Sequence, residues 1–334
     1  MIKKLSIYIA EGTNPYRNLA VEEFLTLHTQ PGEVILYLWQ NQKTVVIGKN
    51  QNAWKECKVE ALKEDGGHLV RRLSGGGAVF HDLGNLNFTF CVRKEAYDVA
   101  RQLSVILEAL RMLGIHAEKT GRNDITADGR KFSGNAFYKT GVYCYHHGTL
   151  LVDTDREQMA RYLTVSKAKL QSKGVESVRS RTVNLKELKG DITVEMLKES
   201  LADGFCRVYG HPVEPLDAAR LDWDAIRLME LRFASREWIV GRNIPFTEVL
   251  QHRFVWGEVE LRLDVCSGKI RQIHLFTDAM EDWLAPVLEQ ALEGAEYDMR
   301  ILEERIRAVP MESEQEETLK NDLISLLKGE IADG

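Results

Sequence analysis

The sequence predicts an α+β protein in two parts: a main domain of mixed strands and helices over residues 1–246, and a small α+β unit over 247–334. Three observations carry this. At 334 residues the chain is longer than one hydrophobic core usually serves. Short β-branched and aromatic runs alternate with longer stretches of helical period. Around Asn243-Ile-Pro245-Phe the helical pattern stops and a strand–turn–strand pattern begins, so the boundary falls near 245–250.

Taken in order, Asn18-Leu-Ala-Val-Glu-Glu-Phe-Leu-Thr-Leu places Leu19, Phe24 and Leu27 near helical spacing, with Pro31-Gly32 as a stop. Val34 to Leu38 and Thr44 to Ile47 read as strands joined by the polar Gln40 to Lys43. Three more strands follow at His68 to Arg72, Ala78 to Phe80 and Leu86 to Val92. From Tyr97 to Leu113, Val99, Leu103, Ile106, Leu107 and Leu110 keep one helical face, and Gly114 supplies the cap. Residues 124–152 are strand-like, with Asp128-Gly129 as a tight hairpin turn and Thr140-Gly141 as a second. Helices are expected at 156–163, 194–209 and 222–230. Beyond the boundary come strands at Phe254 to Val265 and Ile270 to Phe276 about a Ser267-Gly268 turn, then three amphipathic helical stretches.

The composition, 44% hydrophobic and 28% charged, is that of an ordinary globular protein. Five cysteines at wide spacings form neither a zinc pattern nor a disulfide framework, which points to a reducing compartment. The start lacks a signal-peptide core, and no run approaches the roughly 18 apolar residues of a spanning helix, so a cytoplasmic protein without a membrane partner is expected. A net charge of −6 without a basic block argues against nucleic acid.

Three stretches carry chemistry. The first, Arg71-Arg-Leu-Ser-Gly-Gly-Gly-Ala-Val-Phe-His, sets three glycines between two cations and a strand. Such a run serves positive φ angles, close approach of backbone to a ligand, or a plain turn. It is neither a Walker loop nor a Rossmann loop, since the spacing differs and no helix follows. In the second, Gly121-Arg-Asn-Asp-Ile-Thr-Ala-Asp-Gly-Arg-Lys-Phe-Ser-Gly, Lys131 opens a strand after the hairpin; a lysine so fixed is either an anion clamp or a solvated residue flanking a turn. In the third, Tyr143-Cys-Tyr-His-His-Gly-Thr-Leu-Leu, His146 and His147 face opposite sides and cannot share a metal, while Cys144 and His146 share a face. That pair is either nucleophilic or a buried thiol beside a hydrogen-bonded histidine.

Together these stretches resemble the lipoate-protein ligase A family. Arg71 to Asn85 is similar to its R-R-x-S-G-G-G-A-V-x-x-D-x-G-N signature at every fixed position. Gly121-Arg-Asn-Asp with Arg130-Lys-x-Ser-Gly, and His146-His-Gly-Thr, are similar to its second and third motifs, and Phe254-Val-Trp-Gly-Glu-Val-Glu-Leu to the opening of its accessory C-terminal domain. The resemblance implies a fold related to biotin ligases and class II synthetase cores, with a mixed, largely antiparallel sheet. It implies ATP with Mg²⁺, lipoate as substrate, a lipoyl-AMP intermediate, and transfer to a lysine of lipoyl domains: acyltransferase subunits of 2-oxo acid dehydrogenases and the glycine-cleavage H protein.

Carried onto this sequence, it implies that Lys131 is catalytic and contacts both lipoate and phosphate. Arg72, Gly77, Ala78, Val79 and Phe80 would bind ATP or adenylate, Ser74, Gly75, Gly76 and His81 would bind lipoate, and Asn123 and Asp124 would contact Mg²⁺ or adenylate; no dedicated protein metal site is expected. Two alternatives stay open: an ATP-independent octanoyl or lipoyl transferase with Cys144 as nucleophile, and a non-catalytic lipoate-binding module.

Overall fold

The structure, a computed structural model, describes residues 2–121, 123–164, 182–241, 246–311 and 313–329. Arg122 of the second motif and Asn243 to Pro245, where the sequence pattern breaks, lie outside the described residues. Packing divides the chain into two compact units. The first comprises Met1–Val46, Trp54–Arg72 and Val79–Ile239; the second comprises Ile47–Ala53, Leu73–Ala78 and Val240–Gly334.

The first unit is built on an eight-stranded sheet. Its strands are β1 (Lys4–Ile9), β2 (Glu33–Trp39), β6 (Asn85–Arg93), β7 (Glu118–Thr120), β8 (Asp124–Ala127), β9 (Arg130–Thr140), β10 (Tyr143–Leu151) and β11 (Val213–Pro215), in the spatial order β11-β1-β2-β6-β10-β9-β8-β7. β1 runs parallel to both β11 and β2, and every other pairing in this sheet is antiparallel, which gives the mixed, largely antiparallel sheet expected. A smaller sheet, ordered β4-β3-β5, holds β3 (Thr44–Ile47), β4 (His68–Arg71) and β5 (Val79–His81). Short helices α2 (Ala53–Glu56) and α3 (Val59–Glu64) lie between β3 and β4 in the chain.

Two helical layers cover the main sheet. On one face α4 (Val99–Met112) packs with a long helix at Val194–Tyr209, and Val105, Ile106, Leu201 and Phe205 join Phe88 and Phe90 in one core. Burying each such side chain is worth about 1.5–3 kcal/mol, so this layer is the main source of the unit's cohesion. Gly114, at φ 79°, ends α4 with the Gly114 and Ile115 N–H groups donating to the Arg111 and Leu110 carbonyls, a Schellman motif. The opposite face is covered by α1 (Pro15–Leu27), which begins three residues before the helix read from the sequence: Asn14 caps it by accepting from the Tyr16 and Arg17 N–H groups, and Pro15 occupies its first turn. A helix at Trp223–Ala234 packs on α1. The remaining helices of this unit are α5 (Arg156–Tyr162), α6 (Leu185–Leu188) and α9 (Arg236–Val240), the long ones at 194 and 223 being α7 and α8.

The second unit carries β12 (Glu248–Arg253), β13 (Glu258–Cys266) and β14 (Lys269–Thr277) as one antiparallel sheet, with α10 (Leu284–Leu292), α11 (Met299–Arg307) and α12 (Glu314–Lys328) around a core that includes Leu261, Leu288, Leu302 and Leu323. The expected strand from Phe254 to Val265 is interrupted at its start. Phe254 to Gly257 instead form the turn between β12 and β13, closed by Phe254 N–H donating to the Gly257 carbonyl. Its apolar residues imitate a strand because Phe254 and Trp256 stack on each other at 5.0 Å while Val255 points fully into solvent. Among the described residues no helix is long and apolar enough to cross a membrane.

Candidate active site

The hairpin of β8 and β9 turns through Asp128 and Gly129, both at positive φ (50° and 71°), as a two-residue turn with this twist demands. Regular alternation would set Lys131 and Gly134 on opposite faces of β9. A bulge prevents this. Asp124 pairs with Gly134 and Ile125 with Ser133, but Thr126 pairs with Lys131, which leaves Phe132 as the extra residue. Lys131 is thereby placed on the face of Asp124 and Gly134, while Phe132 is fully buried. The Lys131 ammonium lies 2.7 Å from Asp124 Oδ1, and both side chains are half-exposed. Asp124 Oδ1 nevertheless makes no directional hydrogen bond, so the contact is an ion pair of poor angle and modest worth, at most about 1 kcal/mol. A Cβ at Gly134 would come within 3.2 Å of Lys131 Nζ, so the missing side chain is what gives the lysine its berth. Thr149 of β10 accepts the Gly134 N–H, and the Lys131 carbonyl accepts from Val183.

Behind this hairpin a buried amide chain fixes its base. Asn123 and Asn135 exchange hydrogen bonds: Asn135 donates from its backbone N–H and its Nδ2 to the Asn123 carbonyl, and Asn123 Nδ2 donates to the Asn135 carbonyl. His146 Nε2 lies 2.9 Å from Asn135 Oδ1, and His146 Nδ1 lies 3.1 Å from the Gln102 amide of α4. Burial pushes His146 down to about 3, so the ring is neutral near pH 7. Gly148 is obligatory here, since a Cβ would meet Phe88 at 2.7 Å and Asn135 Oδ1 at 2.8 Å.

His147, one residue on, faces α1. Its Nδ1 lies 2.8 Å from Glu22 Oε1, which also accepts from Thr89 Oγ1 at 2.7 Å. Thr89 accepts in turn from Trp39 Nε1 at 3.0 Å. Arg72 is 5% exposed and donates to the Val46 carbonyl; burial lowers it to about 10, with Tyr145 and Glu22 nearby opposing the fall, so it keeps its charge. His81 is 3% exposed and pushed down to about 3, first by burial and then by the positive charge of Arg72 and by His147. Arg72, His81, His147 and Glu22 thus form one buried polar layer between the two sheets and α1.

The two arginines of the signature separate. Arg71 donates from its guanidinium to the Trp238 and Ile239 carbonyls of α9, and Trp238 Nε1 donates back to the Arg71 carbonyl. Arg72 alone points into the polar layer. The glycines also separate. Gly75 has backbone against it, the Ala279 and Met280 carbonyls standing 2.5 Å from where its Cβ would be. Gly76 sits at φ 85° and donates its N–H to the Ala279 carbonyl. Gly77 has nothing within 4 Å of its Cβ position. Ser74 is buried, and its carbonyl accepts from the Lys49 N–H. Farther along, Val79, Phe80 and His81 form β5, with Phe80 buried against Tyr162. Asp82 holds the following loop, accepting from the Gly84 and Asp155 N–H groups, and Gly84 admits no Cβ because the Asp153 carbonyl is 2.1 Å away.

Of the residues expected from the sequence, Asn123, Asp124 and Lys131 are therefore brought together on the β8–β9 hairpin, and Arg72 and His81 in the buried layer. Leu73–Ala78 pack with the second unit. Sequence reasoning missed Glu22, Thr89, Trp39, Asn41 and Asn18. The signal was present in β6, where Asn85, Asn87 and Thr89 alternate with Leu86, Phe88 and Phe90: such alternation ordinarily marks a solvated face, but both faces of β6 are buried. Cys144 is 1% exposed within the core and burial raises its thiol, the reverse of what a nucleophilic cysteine requires.

Comparison with known proteins agrees with this architecture. Residues 14–206 match the Lipoyl protein ligase A/B catalytic domain, and residues 243–327 match the Bacterial lipoate protein ligase C-terminus. The chain is 38% identical over 338 residues to the lipoate-protein ligase A of Psychrobacter cryohalolentis, covering 98% of this chain and 100% of that protein. It superimposes with a TM-score of 0.84 on P. falciparum LipL1 in complex with lipoate, at 29% identity over 96% of this chain and 99% of the other. A lipoate-protein ligase A bound with ATP gives a TM-score of 0.62, at 25% identity over 72% of this chain and 99% of that one. With matched models over both parts and a relative aligned along its whole length, the chain belongs to the lipoate-protein ligase A family.

Proposed function

We propose that this lipoate-protein ligase activates lipoate with ATP and passes the lipoyl group to a lysine of a lipoyl domain, with Lys131 as the catalytic cation. The observation that carries the reading is the bulged hairpin, which presents the Lys131 ammonium beside Asp124 with its stem over Gly134. In the first step a lipoate carboxylate oxygen attacks the α-phosphorus, the bond to the β-phosphate breaks, and pyrophosphate leaves. Negative charge grows on the non-bridging oxygens, and a pre-placed cation there is worth about 3 kcal/mol. In the second step the acceptor lysine's amine attacks the carbonyl of lipoyl-AMP, the C–O bond to AMP breaks, and the amine loses a proton.

Arg72 supports this as a buried permanent cation for phosphate, and Gly77 to Phe80 as backbone donors to the nucleotide. Ser74 to Gly76 and His81 serve lipoate. Among the described residues no group of three or more His, Cys, Asp and Glu side chains is arranged to hold a metal ion. Mg²⁺ would therefore come with the nucleotide on phosphate oxygens, with Asp124 and Asn123 as the oxygen donors nearest Lys131 in the motif. Acceptors are the lipoyl domains of 2-oxo acid dehydrogenase acyltransferases and the glycine-cleavage H protein, in the cytoplasm. Lipoate-dependent exchange of labelled pyrophosphate into ATP tests the first step; folded wild-type protein without exchange would sink it.

A further inference from the structure

Two side-chain amides and one histidine in the first unit form a chain whose hydrogen positions follow from elimination. Asn18 Nδ2 lies 2.9 Å from the Gln40 carbonyl and 3.3 Å from the Gly12 carbonyl. Carbonyl oxygens only accept, so this end of Asn18 is its NH₂, and its Oδ1 accepts from the Tyr37 hydroxyl at 3.3 Å. The same NH₂ donates to Asn41 Oδ1 at 3.0 Å. The other end of Asn41 is then its NH₂, 3.2 Å from His81 Nδ1, and that nitrogen must accept. The proton of the neutral ring consequently sits on Nε2. Among the described residues nothing accepts from this buried Nε2, and His81 is 3% exposed. A buried N–H without an acceptor is rare in folded proteins and points to a ligand atom.

We propose that Asn18 and Asn41 are positioning residues that hold His81 as its Nε2–H tautomer, so that Nε2 presents its hydrogen to bound lipoate. The inference rests on the placement of His81 in the lipoate site given under Proposed function. Beside the permanent cation of Arg72, a neutral donor adds a directed contact without adding charge. Neither asparagine touches substrate; both act through the ring. Their backing by backbone carbonyls matters because a free amide would flip and offer His81 an oxygen instead.

The test uses full-length protein labelled with nitrogen-15 histidine, with His81→Gln identifying the His81 signals. In ligand-free wild type the expected result is an unprotonated Nδ1 and a protonated Nε2. In Asn41→Asp the new carboxylate accepts from Nδ1, so Nδ1 becomes protonated. Saturating lipoate without ATP shifts the Nε2–H signal of wild type. In pyrophosphate exchange Asn41→Asp raises KM for lipoate about tenfold or more, while KM for ATP stays within about twofold, a split that general loosening of the fold would not produce. A wild-type ring protonated on Nδ1 overturns the proposal, as does an Nε2–H signal that lipoate leaves unmoved. The tautomer is read on ligand-free protein and needs no variant to fold, whereas absent exchange in wild type would sink the ligase reading instead.

Discussion

Gly134→Ala separates the position of Lys131 from the stability of the sheet that carries it. The added Cβ would stand 3.2 Å from Lys131 Nζ and 3.3 Å from its Cε, with Thr149 Oγ1 at a comfortable 4.0 Å. Restoring ordinary contact moves the ammonium by roughly half an ångström. Since a 1 Å misplacement can cost about a hundredfold in rate, half of that costs about tenfold, or about 1.4 kcal/mol at the transition state. The backbone at Gly134 is not left-handed, so alanine adopts it, and the stiffer unfolded chain favours folding by about 0.4–1 kcal/mol. Lipoate-dependent pyrophosphate exchange should therefore fall about tenfold while the urea midpoint holds or rises. Lys131→Ala provides the second edge of a cycle: in that background Gly134→Ala should have no further effect on exchange. An additive loss in the double variant, or full activity in Gly134→Ala, would refute the argument that Gly134 acts by giving Lys131 its place.

Two further outcomes follow from burial. Cys144→Ser should keep lipoate- and ATP-dependent ligation, because the thiol lies in the core with its proton held; loss of ligation in a folded variant would revive a thioester route. His146 is held at about 3 in the folded protein against about 6.5 when unfolded, so the unfolded chain takes up the extra proton as pH falls. Its contribution is intact above pH 6.5 and drains toward pH 3; between pH 7.5 and 5.5 the loss is about 1.4 kcal/mol. Urea unfolding of wild type and His146→Gln over that range should differ in slope by this amount, and parallel curves would contradict it.

Most of the fold was legible because its elements are long and periodic: the α4 face, the β9–β10 hairpin and the three C-terminal helices all stand where the pattern put them. The misses have local causes. Asn14-Pro15 is a helix start written in capping chemistry, with no hydrophobic period to announce it. β1 alternates Leu5, Ile7 and Ile9 with Ser6 and Tyr8, but its burial does not follow that alternation, Ser6 being buried and Ile9 exposed. The strand β12 buries none of its six residues fully and exposes half of them, so it shows little alternation, while the turn after it is apolar. For the site, Lys131 and Arg72 could be named from motifs, but the bulge at Phe132 could not, since a register shift depends on both strands.

The signature from Arg71 to Asn85 mixes architecture with chemistry, and the physical demands at each position separate the two. Arg71 ties down α9, Asp82 and Gly84 close a loop on Asp153 and Asp155, and Phe80 fills core; any chain with this fold would need them whatever it catalysed. Gly75 and Gly76 are likewise accounted for, one by backbone at 2.5 Å and the other by φ 85°. What remains is Arg72, a buried cation whose charge acts on His81, His81 itself with its Nε2 lacking an acceptor, and Gly77, where no steric or dihedral demand requires glycine. Burying a cation, or an N–H that meets no acceptor as at His81 Nε2, costs stability, which is a reason to look for ligand atoms beside them. Side-chain contacts to ligand in this stretch should accordingly be sought first at Arg72 and His81, the glycines and β5 meeting it through backbone, and alanine at Gly77, which finds open space, should leave the folded protein as stable as before while changing how it handles nucleotide and acid.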